Sequence, residues 1–181
     1  IFLTEGQVDK KIPIRKDCKY IIHNCDSKYD PVFNNCLKIQ VYTNSVLGYQ
    51  AEKVGNFIYY DPIGKILYQY WATDLLPNEI EYKKIDRHRE VYWVGTIGSG
   101  VFGNIDEIAG FMKGCTLNGI NFIHKSNIDF QESKTLISQS YLAPAINGKW
   151  QVENGYIPCR IFKNISYGQF GLTNNKVVND L

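Results

Sequence analysis

A glycine-rich stretch at residues 98–103 is the first candidate for a ligand-binding role in the sequence. It reads Gly98-Ser99-Gly100-Val101-Phe102-Gly103 and fits the spacing G-x-G-x-x-G. A predicted strand at residues 91–94 precedes it and a predicted helix follows it, the context in which this spacing binds phosphate. Glycines let the backbone approach a diphosphate, and the N–H groups at a helix N-terminus favour negative charge. We interpret the stretch as a phosphate-binding loop, with a glycine-rich turn that binds nothing as the alternative.

The dinucleotide-binding version of such a loop needs an acidic residue about 20 positions further on, where it holds the ribose hydroxyls. That place holds His124-Lys125-Ser126-Asn127. A nicotinamide or flavin enzyme is therefore disfavoured, and we expect no cofactor. His124 and Lys125 stay candidates for contacting a bound nucleotide, because they end the second predicted strand.

Arg160 is the charged residue at a second predicted helix start. Pro158 suits the first helical position and Gly168 suits the position just past the end. Backbone N–H groups in the first turn and the guanidinium could share one phosphate. A surface ion pair between Arg160 and Glu153 is the alternative. The apolar residues on one face of this helix are Ile161, Phe162 and Ile165.

The segment at residues 153–174 resembles the nucleotide-sugar-binding segment of GT-B glycosyltransferases, most closely the C-terminal domain of spore-maturation-type and related group-1-like enzymes. Those enzymes read R-x-F-E, then Gly, a short apolar strand and Thr. Arg160-Ile161-Phe162-Lys163, Gly168 and Leu172-Thr173 follow that order. Residues 141–146 look like the strand that precedes this segment in the same families, and the resemblance covers residues 91–181.

Lys163 departs from the pattern, since the family usually has a Glu there that is expected to bind the nucleotide ribose. Two alternatives stay open. Either Glu153 takes the ribose from the preceding loop, or the donor is held differently. A solvated position on the helix surface is the plainer interpretation of Lys163.

The resemblance implies a glycosyltransferase of carbohydrate biosynthesis that moves a sugar from a nucleotide diphosphate donor to a glycan or other acceptor. It implies no metal, and the sequence contains no D-x-D. The catalytic residue, the sugar and the stereochemical outcome are left unassigned. The alternative is a noncatalytic α/β module that binds a nucleotide or a protein. The predicted nucleotide-sugar-binding residues are Gly98, Ser99, Gly100, His124, Lys125, Pro144, Glu153, Tyr156, Ile157, Arg160, Lys163, Thr173 and Asn174.

The elements that must position these residues alternate between strand and helix after residue 90. Predicted strands lie at residues 91–94, 120–123, 141–145 and 170–173. The alternation predicts a Rossmann-like four-stranded parallel sheet with flanking helices, whose ligands bind at the carboxyl ends of the strands.

Capping signals delimit the helices of this part. Asn104 with Glu107 makes a capping-box-like start for the first helix, and Gly114 predicts its end. Asp129 with Glu132 predicts the start of the next helix. Asn174 or Asn175 is expected to cap a last helix.

The first part of the chain is β-rich. Short runs at residues 1–4, 20–23, 39–42, 57–60 and 66–70 predict strands, and turn signals such as Asp61-Pro62-Ile63-Gly64 separate them. We assign residues 1–80 to a remnant of an N-terminal acceptor domain with its crossing linker. Residues 81–181 are assigned to the Rossmann-like domain. Because the sequence starts within a predicted strand and stops within a predicted helix, we expect it to be a piece of a longer protein.

Composition narrows the classes of partner. The 181 residues contain 20 Lys and Arg against 18 Asp and Glu, a balance that disfavours nucleic acid. The five cysteines have no C-x-x-C spacing, and no apolar run is long enough to cross a bilayer. These features favour a cytoplasmic protein, with peripheral membrane association only through a missing part and no predicted oligomeric state. Among the aromatic residues, Trp150 is the candidate for stacking a sugar.

Overall fold

A computed structural model describes residues 2–4, 15–23, 36–41, 51–56, 58–80 and 89–180. Within these ranges the chain forms ten β-strands and four α-helices, so the protein is mixed α/β. It divides into two compact units. The first comprises Ile1–Tyr70 with Asn154–Tyr156, and the second comprises Trp71–Glu153 with Ile157–Leu181.

The first unit is built on a six-stranded mixed sheet in the order β1-β2-β3-β6-β5-β4. The first three strands and β6 pair in parallel, whereas β5 is antiparallel to both of its neighbours. The reversal between β5 and β6 follows from Asp61, whose Oδ1 accepts the N–H groups of Ile63 and Gly64 at 2.9 Å each. The strands are β1 (Phe2–Thr4), β2 (Tyr20–His23), β3 (Cys36–Gln40), β4 (Glu52–Gly55), β5 (Ile58–Asp61) and β6 (Ile66–Gln69).

The predicted strands of this unit are largely confirmed. The strand predicted at residues 39–42 lies earlier, at β3, where Cys36, Lys38 and Gln40 alternate into the buried face. The β4 strand was missed because it is mostly exposed and lacks an apolar alternation. Ile1, Tyr42 and Phe57, at the ends of three predicted strands, lie outside the described residues.

The second unit alternates strands with helices, as the sequence predicts. Strands β7 and β8 pair in parallel, and so do β9 and β10. Parallel neighbours require crossover connections, which the helices between them supply. In chain order the elements are β7 (Glu90–Val94), α1 (Ile105–Leu117), β8 (Asn121–Lys125), α2 (Phe130–Gln139), β9 (Pro144–Ala145), α3 (Lys149–Glu153), α4 (Cys159–Ser166) and β10 (Leu172–Thr173), with 3₁₀ turns at Pro77–Glu79 and Lys176–Asp180.

The four strands form two two-stranded sheets rather than one sheet of four. The chain before β9 does run beside β7, since Tyr141 N–H donates to the Glu90 carbonyl at 2.8 Å. The next position is taken by a side chain, because Tyr92 N–H donates to Ser140 Oγ at 3.0 Å. Because a side-chain oxygen takes the place of a backbone acceptor here, the hydrogen-bond ladder between the strands is interrupted. Strand β9 is therefore shorter than the predicted strand at residues 141–145.

Two of the predicted helix signals are wrong in detail. Asn104 is the N-cap of α1, but its side chain makes no capping hydrogen bond. Gly114 does not end α1, which continues to Leu117 and stops before Gly119 at φ +62°. Gly114 lies on an open face with no atom near a Cβ position, so the helix passes through it.

The other helix signals are confirmed or shifted slightly. Asp129 caps α2, its Oδ1 accepting the N–H of Glu132 at 2.9 Å. Pro158 is the N-cap of α4, one position before the predicted one, and Gly168 follows the helix at φ +84°. Asn175 caps a 3₁₀ turn through Val177 N–H at 3.1 Å.

The core of the second unit lies between β7, β9 and the helices. Its fully buried side chains include Val91, Trp93, Ile108, Ile157 and Ile161. No helix in the described ranges is both long enough and apolar enough to cross a membrane.

Candidate functional site

The glycine-rich loop closes on itself. The Gly98 carbonyl accepts N–H groups from Asn104 at 2.9 Å and Ile105 at 3.1 Å, and Gly103 N–H donates to the Gly100 carbonyl at 3.0 Å. A Cβ on Gly103 would lie 2.4 Å from the Gly98 oxygen, so this position needs glycine. The loop is therefore a compact turn whose hydrogen bonds occupy the N–H groups at the very start of α1.

The loop after β7 touches the loop after β9 directly. A Cβ on Gly148 would lie 1.7 Å from the Gly103 carbonyl oxygen, so the two backbones are in contact there. Asn104 adds a side-chain link. Its Oδ1 accepts Gly98 N–H at 3.1 Å, and its Nδ2 donates to the Ile146 carbonyl at 3.2 Å. This bridging explains why Asn104 does not cap its own helix.

The loop after β9 is tied in turn to the loop after β10. Asn174 Oδ1 accepts Asn147 N–H at 2.9 Å, and its Nδ2 donates to the Asn147 carbonyl at 2.8 Å. Thr173 Oγ1 donates to the Ala145 carbonyl at 2.8 Å. The carboxyl ends of β7, β9 and β10 therefore meet, as expected for parallel strands, and they bring Gly98, Pro144, Thr173 and Asn174 into one region.

Arg160 reaches the end of β7 from the first turn of α4. Its guanidinium donates to the Val94 carbonyl, and Cζ lies 4.0 Å from the centroid of the Trp93 ring. Gly95, at φ +119°, makes room for it, because a Cβ there would lie 2.7 Å from Nη2. The residue as a whole is partly exposed, whereas its charged group lies deep.

Burial lowers the pKa of Arg160 to about 10, so the guanidinium stays charged at neutral pH. Its hydrogen-bond acceptor is a neutral carbonyl, and no carboxylate of the described residues forms an ion pair with it. The predicted ion pair with Glu153 is not formed, since Glu153 lies 3.8 Å from Lys149 Nζ instead. A deep positive charge that no described carboxylate neutralises is the main electrostatic feature of this region.

The end of β8 lies next to the end of β7, where Arg160 is bound, and Gly95 joins the two ends. His124 Nε2 donates to the Gly95 carbonyl at 2.7 Å, and Gly95 N–H donates to the Lys125 carbonyl at 2.9 Å. Both residues are exposed. The structure thus brings His124 and Lys125 to the glycine that accommodates Arg160.

Other predicted site residues lie elsewhere or are engaged. Lys163 Nζ pairs with Asp74 Oδ2 at 3.0 Å. Ile157 is fully buried in the core, and Tyr156 belongs to the first unit. Ser99 and Gly100 are exposed on the outer side of the loop. Within the described part of the chain, no group of three or more His, Cys, Asp or Glu could hold a metal ion.

Asp74 anchors the first residues of the second unit to α4 and the residue after it. Tyr167 Oη donates to Asp74 Oδ1 at 2.8 Å and to Oδ2 at 3.0 Å, beside the Lys163 pair. Thr73 Oγ1 lies 2.6 Å from Ser166 Oγ. Burial acts to raise the pKa of Asp74, but the bonds from Tyr167 and Lys163 outweigh it and the pKa is lowered.

We expect this anchor to be lost in acid. Because the folded pKa of Asp74 lies below the unfolded value of about 3.9, its stabilisation is present above that value and is lost as the pH falls through the folded pKa. Asp74→Asn should lower the unfolding free energy by about 1 kcal/mol at pH 7. Denaturant unfolding from pH 7 to pH 3 should show the variant and the parent converging. The exposed Glu52→Gln, on a strand away from any helix start, is the control, and an equal loss in both variants would contradict the anchor.

Sequence reasoning missed several residues of this region. Trp93, Gly95 and Gly148 act through close approaches that the chain order does not reveal. Asn104 did carry a signal, a polar side chain at a helix start, but the partner of that side chain lies on another loop.

Comparison with protein-family models, curated proteins and solved structures finds no match to this chain.

Proposed function

We propose that the second unit binds a nucleoside diphosphate at Arg160, as the donor-binding part of a glycosyltransferase with a Rossmann-like, GT-B-type arrangement. The observation that carries the proposal is the deep guanidinium at the end of β7. It is charged, it donates to one backbone carbonyl, and it forms no ion pair with a carboxylate of the described residues.

The charge supports an anionic ligand. Placing a guanidinium away from water costs free energy unless an opposite charge or several hydrogen bonds compensate it. Stacking on Trp93 and the hydrogen bond to the Val94 carbonyl compensate part of this cost. Arginine has several N–H donors in a planar fork, which matches the oxygens of a phosphate. A diphosphate would supply an opposite charge, which the described residues do not provide as a carboxylate paired with Arg160.

The start of α4 suits such a ligand better than the start of α1. The first turn of α1 carries Asp106 and Glu107, which would repel a phosphate, and the Gly98 carbonyl already occupies its first N–H group. The first turn of α4 contains no acidic residue and contains Arg160 itself. The helix dipole therefore adds to the guanidinium at α4. In this proposal the glycine-rich loop shapes the site more than it binds the phosphate.

Sugar transfer is supported by the resemblance at residues 153–174 and by the meeting of strand ends. In α/β proteins with parallel strands, ligands bind outside those ends. Thr173, Asn174, His124 and Lys125 lie on the connections that meet there or adjoin it. We assign them to donor binding. Lys163 is left out, because it is paired with Asp74.

A noncatalytic nucleotide-binding module is the second candidate. The loops after β7, β9 and β10 contain no carboxylate that could serve as a general base. Donor binding alone would need none. An inverting sugar transfer would require a base from another part of the protein.

Titration calorimetry on this chain tests the proposal. We expect saturable binding of UDP, GDP or ADP, weaker binding of CMP, and no binding of uridine, with EDTA making no difference. The nucleotide sugar of the best diphosphate is then incubated with the chain, and release of the diphosphate is measured with and without glycan acceptors. Flat titrations across the series would refute the proposal. Binding without release would favour the noncatalytic module.

A further inference from the structure

We propose that the exposed ring of Phe102, packed edge-to-face against Trp150, is a stacking platform for the base of the bound nucleotide. This inference rests on the proposed function, and it goes further by naming the residues that would recognise an aromatic base. It starts from an aromatic side chain that the core does not use.

Phe102 lies at the tip of the glycine-rich loop with 68% of its surface exposed. Its ring centroid lies 4.8 Å from that of Trp150, and the ring planes meet at 77°. In an edge-to-face pair, each ring keeps at least one face that the other does not cover. The exposed ring of Phe102 therefore offers flat π surface close to the strand ends.

The two rings lie beside a close backbone contact between two loops. Phe102 precedes Gly103, and Trp150 follows Gly148 by two residues, so the two rings flank the backbone contact between the loops after β7 and β9. The Asn104 side chain ties the same loops together. Because β7 also ends at Val94, the carbonyl partner of Arg160, the platform and the proposed phosphate site belong to the same edge.

A base fits this pair better than a sugar ring does. A sugar needs hydrogen-bonding groups around its hydroxyls, whereas the residues next to Phe102 in the chain are Val101, which is 69% exposed, and Gly103. Every base, in contrast, has a π face that stacks on an aromatic ring without such groups.

The test compares a ligand that has a base with one that has none. Calorimetry measures ADP and inorganic pyrophosphate on the parent, Phe102→Ala and Phe102→Tyr. We expect Phe102→Ala to bind ADP about tenfold more weakly, while pyrophosphate affinity stays unchanged. Phe102→Tyr keeps the ring and should bind ADP like the parent. Phe170→Ala is the matched control, since Phe170 is 73% exposed at another place in the unit.

The remaining outcomes separate the two proposals. If Phe102→Ala binds ADP like the parent while Arg160→Met does not, the platform is refuted and the phosphate site stands. If ADP and pyrophosphate weaken equally in Phe102→Ala, the ring acts on the loop rather than on a base, which also refutes the platform. A change confined to sedimentation would identify the patch as a contact between copies and would overturn it. A parent chain that binds neither ligand refutes both proposals.

Discussion

Replacing Arg160 with Met should weaken nucleoside diphosphate binding by about ten- to a hundredfold, since a hydrogen bond to a charged group contributes roughly 1.5–3 kcal/mol. Methionine keeps an unbranched stem against Trp93 and removes the charge, so packing changes little while the counter-charge for phosphate disappears. The measurement is a calorimetric titration with the best diphosphate found for the parent.

Arg89 provides a matched control at the opposite end of β7. Its guanidinium also donates to a backbone carbonyl, that of Asn118 at 2.9 Å, and it also lies over an aromatic ring, that of Tyr141. Arg89→Met therefore removes the same charge from the same unit, away from the carboxyl ends of the strands. It should bind the diphosphate like the parent.

Arg160→Lys separates charge from geometry. An ammonium keeps the positive charge but loses the planar fork, so we expect an affinity between those of the parent and Arg160→Met. Thermal unfolding of each variant shows whether it is folded. If Arg160→Met is folded as stably as the parent and binds diphosphate equally well, the phosphate site lies elsewhere. The resemblance at residues 153–174 would then reflect only a shared strand–helix frame.

The elements that depend on local chemistry could be predicted from the sequence. Asp129 and Gly168 act within one turn of their own helices, and both signals are confirmed. The turn at Asp61 is of the same kind, because its side chain bonds to N–H groups two and three residues on. Parallel pairing after residue 90 was also predictable, since strands that alternate with helices leave little other choice.

Features that depend on distant partners could not be predicted. The break in the second unit's ladder comes from Ser140, whose hydroxyl accepts the N–H of Tyr92. Nothing near Ser140 in the sequence indicates this. The predicted end of α1 at Gly114 is also wrong. Gly114 lies on an open face of the helix, and the helix continues through it.

The candidate site shows the same division. Arg160 was found from its place in a helix start, a local signal. Its lack of an ion pair among the described residues, and its stacking on Trp93, depend on β7, which lies far back in the chain. From the sequence alone, the starts of α1 and α4 are equally suitable for binding a phosphate. The hydrogen bonds of the Gly98 carbonyl distinguish them.

Gly148→Ala should be the most destabilising small substitution in this region. The added Cβ would lie 1.7 Å from the Gly103 oxygen and 2.7 Å from its carbonyl carbon. Both are backbone atoms, so no side chain can rotate away and the two loops must separate. Overpacking of this kind costs about 3 kcal/mol. For a chain of this size we expect the melting temperature to fall by about 6–12 °C.

The same substitution should abolish diphosphate binding even below the lowered melting temperature. The Gly103–Gly148 contact and the Asn104 bridge hold the loops after β7 and β9 together, and separating them moves the strand ends that surround Arg160. Gly110→Ala in α1 is the control. Its Cβ would meet no atom within 4 Å, and alanine stabilises a helix interior by about 0.5–1 kcal/mol relative to glycine. Gly110→Ala should therefore melt no lower than the parent and bind normally. If Gly148→Ala does the same, the two loops are not in contact, and the strand ends do not form one site.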